Sequence, residues 1–165
     1  MNSYLQHSIR FVVLLLFQVL LFNNLHFMSY INPYIYLIFF LELPVHFKTS
    51  YTLLLAFLMG FIIDIFANTM GIHTFSCVLL AFVRNAWIDV LFTRSDNKQW
   101  EVTIGTVGWL NYTKYALGLV FLHHFSLFLL EAFSFQFFGY TFLRILANTL
   151  VTFVLILCYE LCRKK

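Results

Sequence analysis

Residues Tyr51–Phe92 read YTLLLAFLMGFIIDIFANTMGIHTFSCVLLAFVRNAWIDVLF. Two apolar runs, Tyr51–Ala67 and Ile72–Phe92, are separated only by Asn68-Thr-Met-Gly71, a stretch with turn-forming Asn and Gly at its ends. Each run approaches the roughly 20 residues that an α-helix needs to cross the hydrocarbon layer of a bilayer. The pattern predicts two membrane-crossing helices joined by a tight turn.

The rest of the chain repeats the theme. Of its 165 residues, 62% are hydrophobic, 21% aromatic and 10% charged. A soluble domain is about 25% charged, and a chain of this size has too little interior to hide so much apolar surface. The balance excludes a water-soluble enzyme, a disordered tail and a disulfide-stapled secreted module. A formal net charge of +3, with scattered basic residues, gives no case for nucleic-acid binding. We therefore expect an all-α integral membrane protein, a single six-helix transmembrane bundle with spans near 9–27, 31–47, 51–68, 71–92, 112–133 and 138–161. The run after Arg10 continues to Phe22 without a small-residue cleavage site and reads as a retained first span. The second span is the shortest. Pro33 suits its first turn and Pro44 its exit.

Charge distribution sets the expected orientation. The connections Met28–Asn32, Asn68–Gly71 and Ser134–Gly139 contain no Lys or Arg. Arg10, Lys48, Arg94, Lys98 and Arg163–Lys165 all fall on the opposite side if there are six crossings. By the positive-inside rule that side, with both termini, is cytoplasmic. The one long polar connection, 93–111, is then a cytoplasmic loop. Its paired Trp100 and Trp109 suit either a loop lying on the membrane or a partner-docking element.

Charges within a membrane are expensive and need partners. Asp64, Glu131, Arg144 and Asn148 fall at similar depth toward the outer side. Glu42, Arg84 and Asp89 fall toward the inner side. The expected pairings are Asp64 with Arg144, and Arg84 with Glu42 or Asp89. A proton or solute path is one reading of these groups. A structural reading, in which they fix helix register, is simpler, because apolar turns separate the two layers. His73, His123 and His124 have no acidic or cysteine companions at ligand spacing, so no metal site is expected. Cys77, Cys158 and Cys162 match no disulfide framework. There is no G-x-S-x-G elbow, H-E-x-x-H motif or P-loop. Neither catalytic residues nor a cofactor are expected.

The stretch Gly60–Phe75, with Gly60-x-x-x-Asp64, a tight turn and Gly71-Ile-His73, resembles the rod shape-determining protein MreD family. So do Arg10 before an apolar first helix, Pro33 leading the second span, and Arg144-x-x-x-Asn148-Thr149 before a basic tail. The resemblance implies a non-enzymatic bacterial inner-membrane subunit of the cell-elongation complex. Its partners would be an MreC-like protein, the MreB cytoskeleton, RodA and a penicillin-binding protein, with membrane lipid around it. It also implies a bundle similar to the substrate-binding subunits of energy-coupling-factor importers, so a vitamin-type carrier is the competing expectation. Those importers dock through an Ala-x-x-x-Ala pattern on the first helix. Residues 9–27 here contain neither Ala nor Gly, which argues against close helix docking of that kind. Gly60 and Gly71 are expected to allow close helix approach and chain reversal. Gln18, alone in a bulky apolar run, is a candidate contact to a partner's transmembrane helix.

Overall fold

The computed structural model describes residues 3–22, 31–45, 47–92, 100–133 and 138–163. The architecture is all-helical. Helix α1 (Ser3–Phe17) widens at its end into a π-helical turn, Gln18–Phe22. The short α2 (Leu37–Leu41) is followed by the long α3 (Thr49–Ala67) and α4 (Ile72–Leu91). The one-turn α5 (Ile104–Val107) leads into α6 (Trp109–Ala132) and α7 (Phe138–Arg163). Among the described residues, five segments are long and apolar enough to cross a membrane: Leu5–Phe22, α3, α4, α6 and α7. Helices α3 and α4 pack as a hairpin, α4 packs on α6, and α6 on α7.

The expected second span, 31–47, is not a crossing-length helix. Among its described residues only Leu37–Leu41 is α-helical. The cause lies at its start. Pro33 has no N–H to donate, and the residue before a proline is biased away from helix. Helical bonding begins only downstream, through tight i to i+3 bonds from Leu37 N–H to Tyr34 C=O, Ile38 to Ile35 and Phe39 to Tyr36. Pro33 therefore precedes the helix and does not open it.

This irregular segment forms the centre of the molecule. Every residue from Pro33 to Leu43 is buried. Its course follows α7, from Asn148 beside Asn32 to Arg163 beside Glu42. That stretch of α7 is about 22 Å long at 1.5 Å per residue. Non-helical backbone at such depth must find hydrogen-bond partners within the protein, and side chains supply them. Gln18 brackets the bend: its Nε2 donates to Pro33 C=O at 3.3 Å and its Oε1 accepts from Ile35 N–H at 2.9 Å. Asn148 Oδ1 accepts from Asn32 N–H at 2.7 Å, and Thr152 Oγ1 accepts from Tyr34 N–H at 3.2 Å. Gln18 thus points into the bundle, not outward toward a partner.

The rest of α1 is peripheral. Leu14 and Gln18 are its buried positions, one turn apart, whereas Leu5, Ile9, Val12, Val13, Leu16, Phe17, Leu20 and Leu21 are exposed. The expected turns at 28–32 and 134–139 lie mostly outside the described residues, as do Arg94–Lys98 and Lys164–Lys165. The described part of the 93–111 connection is docked into the end of the bundle. Trp100 C=O accepts from Val45 N–H at 2.9 Å, Val102 and Ile104 are buried, and Thr103 caps α5 through a reciprocal bond pair with Thr106.

Candidate functional site

The Gly60–Gly71 motif folds as one joint between α3 and α4. Helix α3 ends at Asn68, in the left-handed region at φ 55°, and Gly71 follows at φ 82°. Gly71 occupies the N-cap position of α4 and has no side chain with which to cap. Asp64, one turn before the end of the preceding helix, does it instead. Its Oδ1 accepts from His73 N–H (3.0 Å) and Thr69 Oγ1 (2.5 Å). Its Oδ2 accepts from Thr74 N–H (2.9 Å) and Thr74 Oγ1 (2.6 Å). His73 and Thr74 carry the N–H groups that a capping side chain normally satisfies. A carboxylate here also meets the positive end of the helix dipole. Gly60, one turn before Asp64, lies directly against Thr74. A Cβ there would sit 2.4 Å from Thr74 Cα.

The expected pairing of Asp64 with Arg144 is therefore corrected. Arg144 instead donates to Glu131 at 3.1 and 3.3 Å and lies over the Phe128 ring at 4.5 Å. Asn148 Nδ2 donates to the Arg144 carbonyl. Asp64 forms contacts within its own hairpin, because backbone N–H groups one short turn away are closer donors than a guanidinium two helices off.

The Arg84 pairing is corrected as well. Arg84 is fully buried. Its Nε donates to Tyr115 Oη at 3.0 Å, and its guanidinium also donates to the Leu43 carbonyl. Tyr115 in turn donates to Leu41 C=O at 3.2 Å. These are the carbonyls left open where the short α2 ends. Glu42 is held by Arg10 (2.8 Å), Arg163 (2.5 Å) and Tyr159 Oη (3.2 Å). Arg163 also reaches Glu101 and Glu160, and Glu160 accepts from Ile104 N–H at 3.1 Å. One charge cluster thus ties together α1, the central segment, the 100–108 connection and α7. Asp89 lies on the exposed side of α4.

A second cluster was not visible in the sequence. Tyr36 Oη lies 2.9 Å from His123 Nε2 and 3.3 Å from His73 Nδ1. The Tyr34 ring stands among His73, His123 and His124, with centroids 5.6, 6.0 and 5.2 Å away. His124 bonds Val120 C=O through Nδ1 (2.7 Å) and Thr152 Oγ1 through Nε2 (3.3 Å). Cys77 Sγ is 4.0 Å from His123 Nε2. The residues come from the central segment, α4, α6 and α7, and all are buried. The only cue in the sequence was His123-His124 side by side in an apolar helix. Adjacent residues point about 100° apart at 3.6 residues per turn, so the two cannot share one outward direction.

A thiol beside an imidazole has the parts of a nucleophile and its base. Here both groups are sealed from solvent, and His123 Nδ1 has no hydrogen-bond partner among the described residues to orient the ring. Among the described residues, no group of three or more His, Cys, Asp or Glu side chains is arranged to hold a metal ion. No family model, curated protein or solved structure matches the chain.

Proposed function

We propose that the chain is a non-enzymatic inner-membrane subunit of the bacterial cell-elongation complex, of MreD type. It would help maintain rod shape by holding cytoskeletal and wall-synthesis partners together. The observation that carries the reading is the Gly60–Asp64–Gly71 joint. The Gly60–Phe75 part of the family resemblance comes together in one place, with the geometry of a fixed helix junction. Asp64 has four donors from its own hairpin, so it is committed to holding helices and not to handling a substrate. The other polar interior groups follow the same pattern: Gln18, Asn148, Thr152, Arg84 and Glu42 bond backbone or side chains of this chain.

In this reading the central segment is a sixth crossing, short and partly unwound. The charge cluster around Glu42 and both termini face the cytoplasm, and the Asp64 turn faces outward. Partners would be an MreC-like protein, MreB, RodA and a penicillin-binding protein, reached through lipid-exposed faces. The broad apolar face of α1, without Ala or Gly, suits a bulky helix contact better than the close docking of an energy-coupling-factor importer subunit.

Depletion of the protein in its native cell tests this. Rod cells should round up, and an MreC-like protein should no longer co-purify with the wall-synthesis enzymes. Unchanged shape together with loss of uptake of a vitamin would overturn the proposal in favour of a carrier.

A further inference from the structure

The Tyr36 hydroxyl has one proton and faces two imidazole nitrogens, His73 Nδ1 and His123 Nε2. It can donate to only one of them, so the other ring must donate to it. His123 Nδ1 is buried without a partner among the described residues. A proton placed there would be an unpaired donor, so the neutral ring carries its proton on Nε2 and donates to Tyr36, which donates to His73 Nδ1. On the other side, His124 Nδ1–H donates to Val120 C=O. Its Nε2 then accepts from Thr152 Oγ1, which accepts from Tyr34 N–H. Each chain includes a residue of the unwound segment, Tyr36 in the first and Tyr34 in the second. Every imidazole acceptor in the cluster is thus filled by a hydroxyl proton, except His123 Nδ1.

We infer that this cluster is a proton-operated latch on the central segment, closed when its three histidines are neutral and released when they take up protons. A proton on His73 Nδ1 or His124 Nε2 turns that nitrogen into a donor, so the Tyr36 or Thr152 hydroxyl must accept from it and turn its own proton away from its partner. A proton on His123 Nδ1 makes a buried cation. The groups facing the cluster place no anion in contact with that cation. From α3 comes Asp64, an anion bonded by four neutral donors, which adjoins His73 through its backbone N–H and does not touch His123. From α4 come His73 and Cys77. From α6 come His123 and His124, with Glu131 farther along, already engaged by Arg144. From α7 come Asn148, Thr152 and the cation Arg144. The central segment brings Tyr34 and Tyr36, and the π-turn brings Gln18. Buried charge without a partner is strongly unfavourable, so acid favours any arrangement that opens the latch to water.

Cys77, buried against His123, reports opening. The full-length protein in micelles, with the exposed Cys158 and Cys162 changed to serine, is treated with N-ethylmaleimide. Its labelling rate is divided into that of the unfolded protein at the same pH, which removes the ordinary pH dependence of thiol reactivity. An open-state imidazole takes its proton near pH 6.5. Protection of Cys77 should therefore fall about tenfold between pH 7.5 and 5.5 for each histidine that is charged on opening. His123→Gln should fold and show a smaller fall. Should it not fold, ¹⁵N spectra of labelled histidines in the otherwise unaltered chain supply the second measurement. The neutral tautomers assigned above should be present at pH 7.5 and lost together as the pH falls. Protection unchanged over this range, an equal fall in His73→Gln, His123→Gln, His124→Gln and the parent, or the opposite tautomers would overturn the latch.

Discussion

Asp64 and Thr74 are joined twice, backbone N–H to Oδ2 at 2.9 Å and hydroxyl to the same oxygen at 2.6 Å. A side chain on one helix thereby supplies the cap that the next helix, beginning at Gly71, cannot make for itself. Asp64→Ala should destabilise the protein by about 1–3 kcal/mol, the range for losing a cap and leaving buried donors open. Thermal unfolding in micelles measures it. Exchanging the charges of Asp64 and Arg144 should give no rescue, because Arg144 is bonded to Glu131. Recovery of stability in the double exchange would contradict the arrangement.

Gly60→Ala is expected to be more damaging than its size suggests. The added Cβ meets backbone atoms of Thr74 and His73 at 2.4–2.8 Å, and backbone cannot rotate away. Overpacking of this kind costs about 1–3 kcal/mol. Trimming the neighbouring side chain, as in Thr74→Ala, should not restore the melting temperature.

Glu42 sits between two guanidiniums, with Arg10 at 2.8 Å and Arg163 at 2.5 Å. Removing its charge leaves like charges facing each other at the end of the bundle. Glu42→Ala should cost about 1–3 kcal/mol, the range for losing hydrogen bonds to charged groups, because both arginines are partly exposed and Arg163 keeps Glu101 and Glu160. The more exposed Glu131–Arg144 pair should matter less, about 1 kcal/mol or below on replacing either partner. Denaturant titrations of the two sets of variants should rank them in that order.

Gln18→Leu removes the donor to Pro33 C=O and the acceptor for Ile35 N–H at once. Its volume is nearly conserved, so the effect isolates the hydrogen bonds, with an expected loss of about 1–3 kcal/mol. Amide exchange at Ile35 should accelerate more than exchange in the middle of α6. Equal protection at Ile35 in the variant would show that Gln18 does not hold the bend.

The hairpin of α3 and α4 was legible in the sequence because its information is local. Two apolar runs, a turn with Asn68 and Gly71, and the spacing Gly60 to Asp64 lie within one short stretch. The second segment was not legible for the opposite reason. Its hydrophobicity reads as helix, but Gln18, Asn148 and Thr152 hold it unwound, the last two from the far end of the chain. The Arg84 pairing failed on the same account. Arg84 and Tyr115 answer carbonyls at Leu41 and Leu43 that are free only because α2 is so short, and a reading that assumes a full helix hides those acceptors. His73 and His123, on different helices, meet through the Tyr36 hydroxyl, and no local spacing announces them.

The first quarter of this protein depends on the last. Asn32, Tyr34 and Glu42 take their partners from Asn148, Thr152, Tyr159 and Arg163. During synthesis those bonds are out of reach until α7 has left the ribosome. The irregular backbone must wait, sheltered by Gln18 or by water, while more than a hundred further residues are made. Closure of the bundle therefore waits for α7, and a chain cut short before α7 would leave backbone at Asn32 and Tyr34 unsatisfied and a carboxylate at Glu42 lacking its Arg163 partner. Such a fragment is a natural target for membrane quality control.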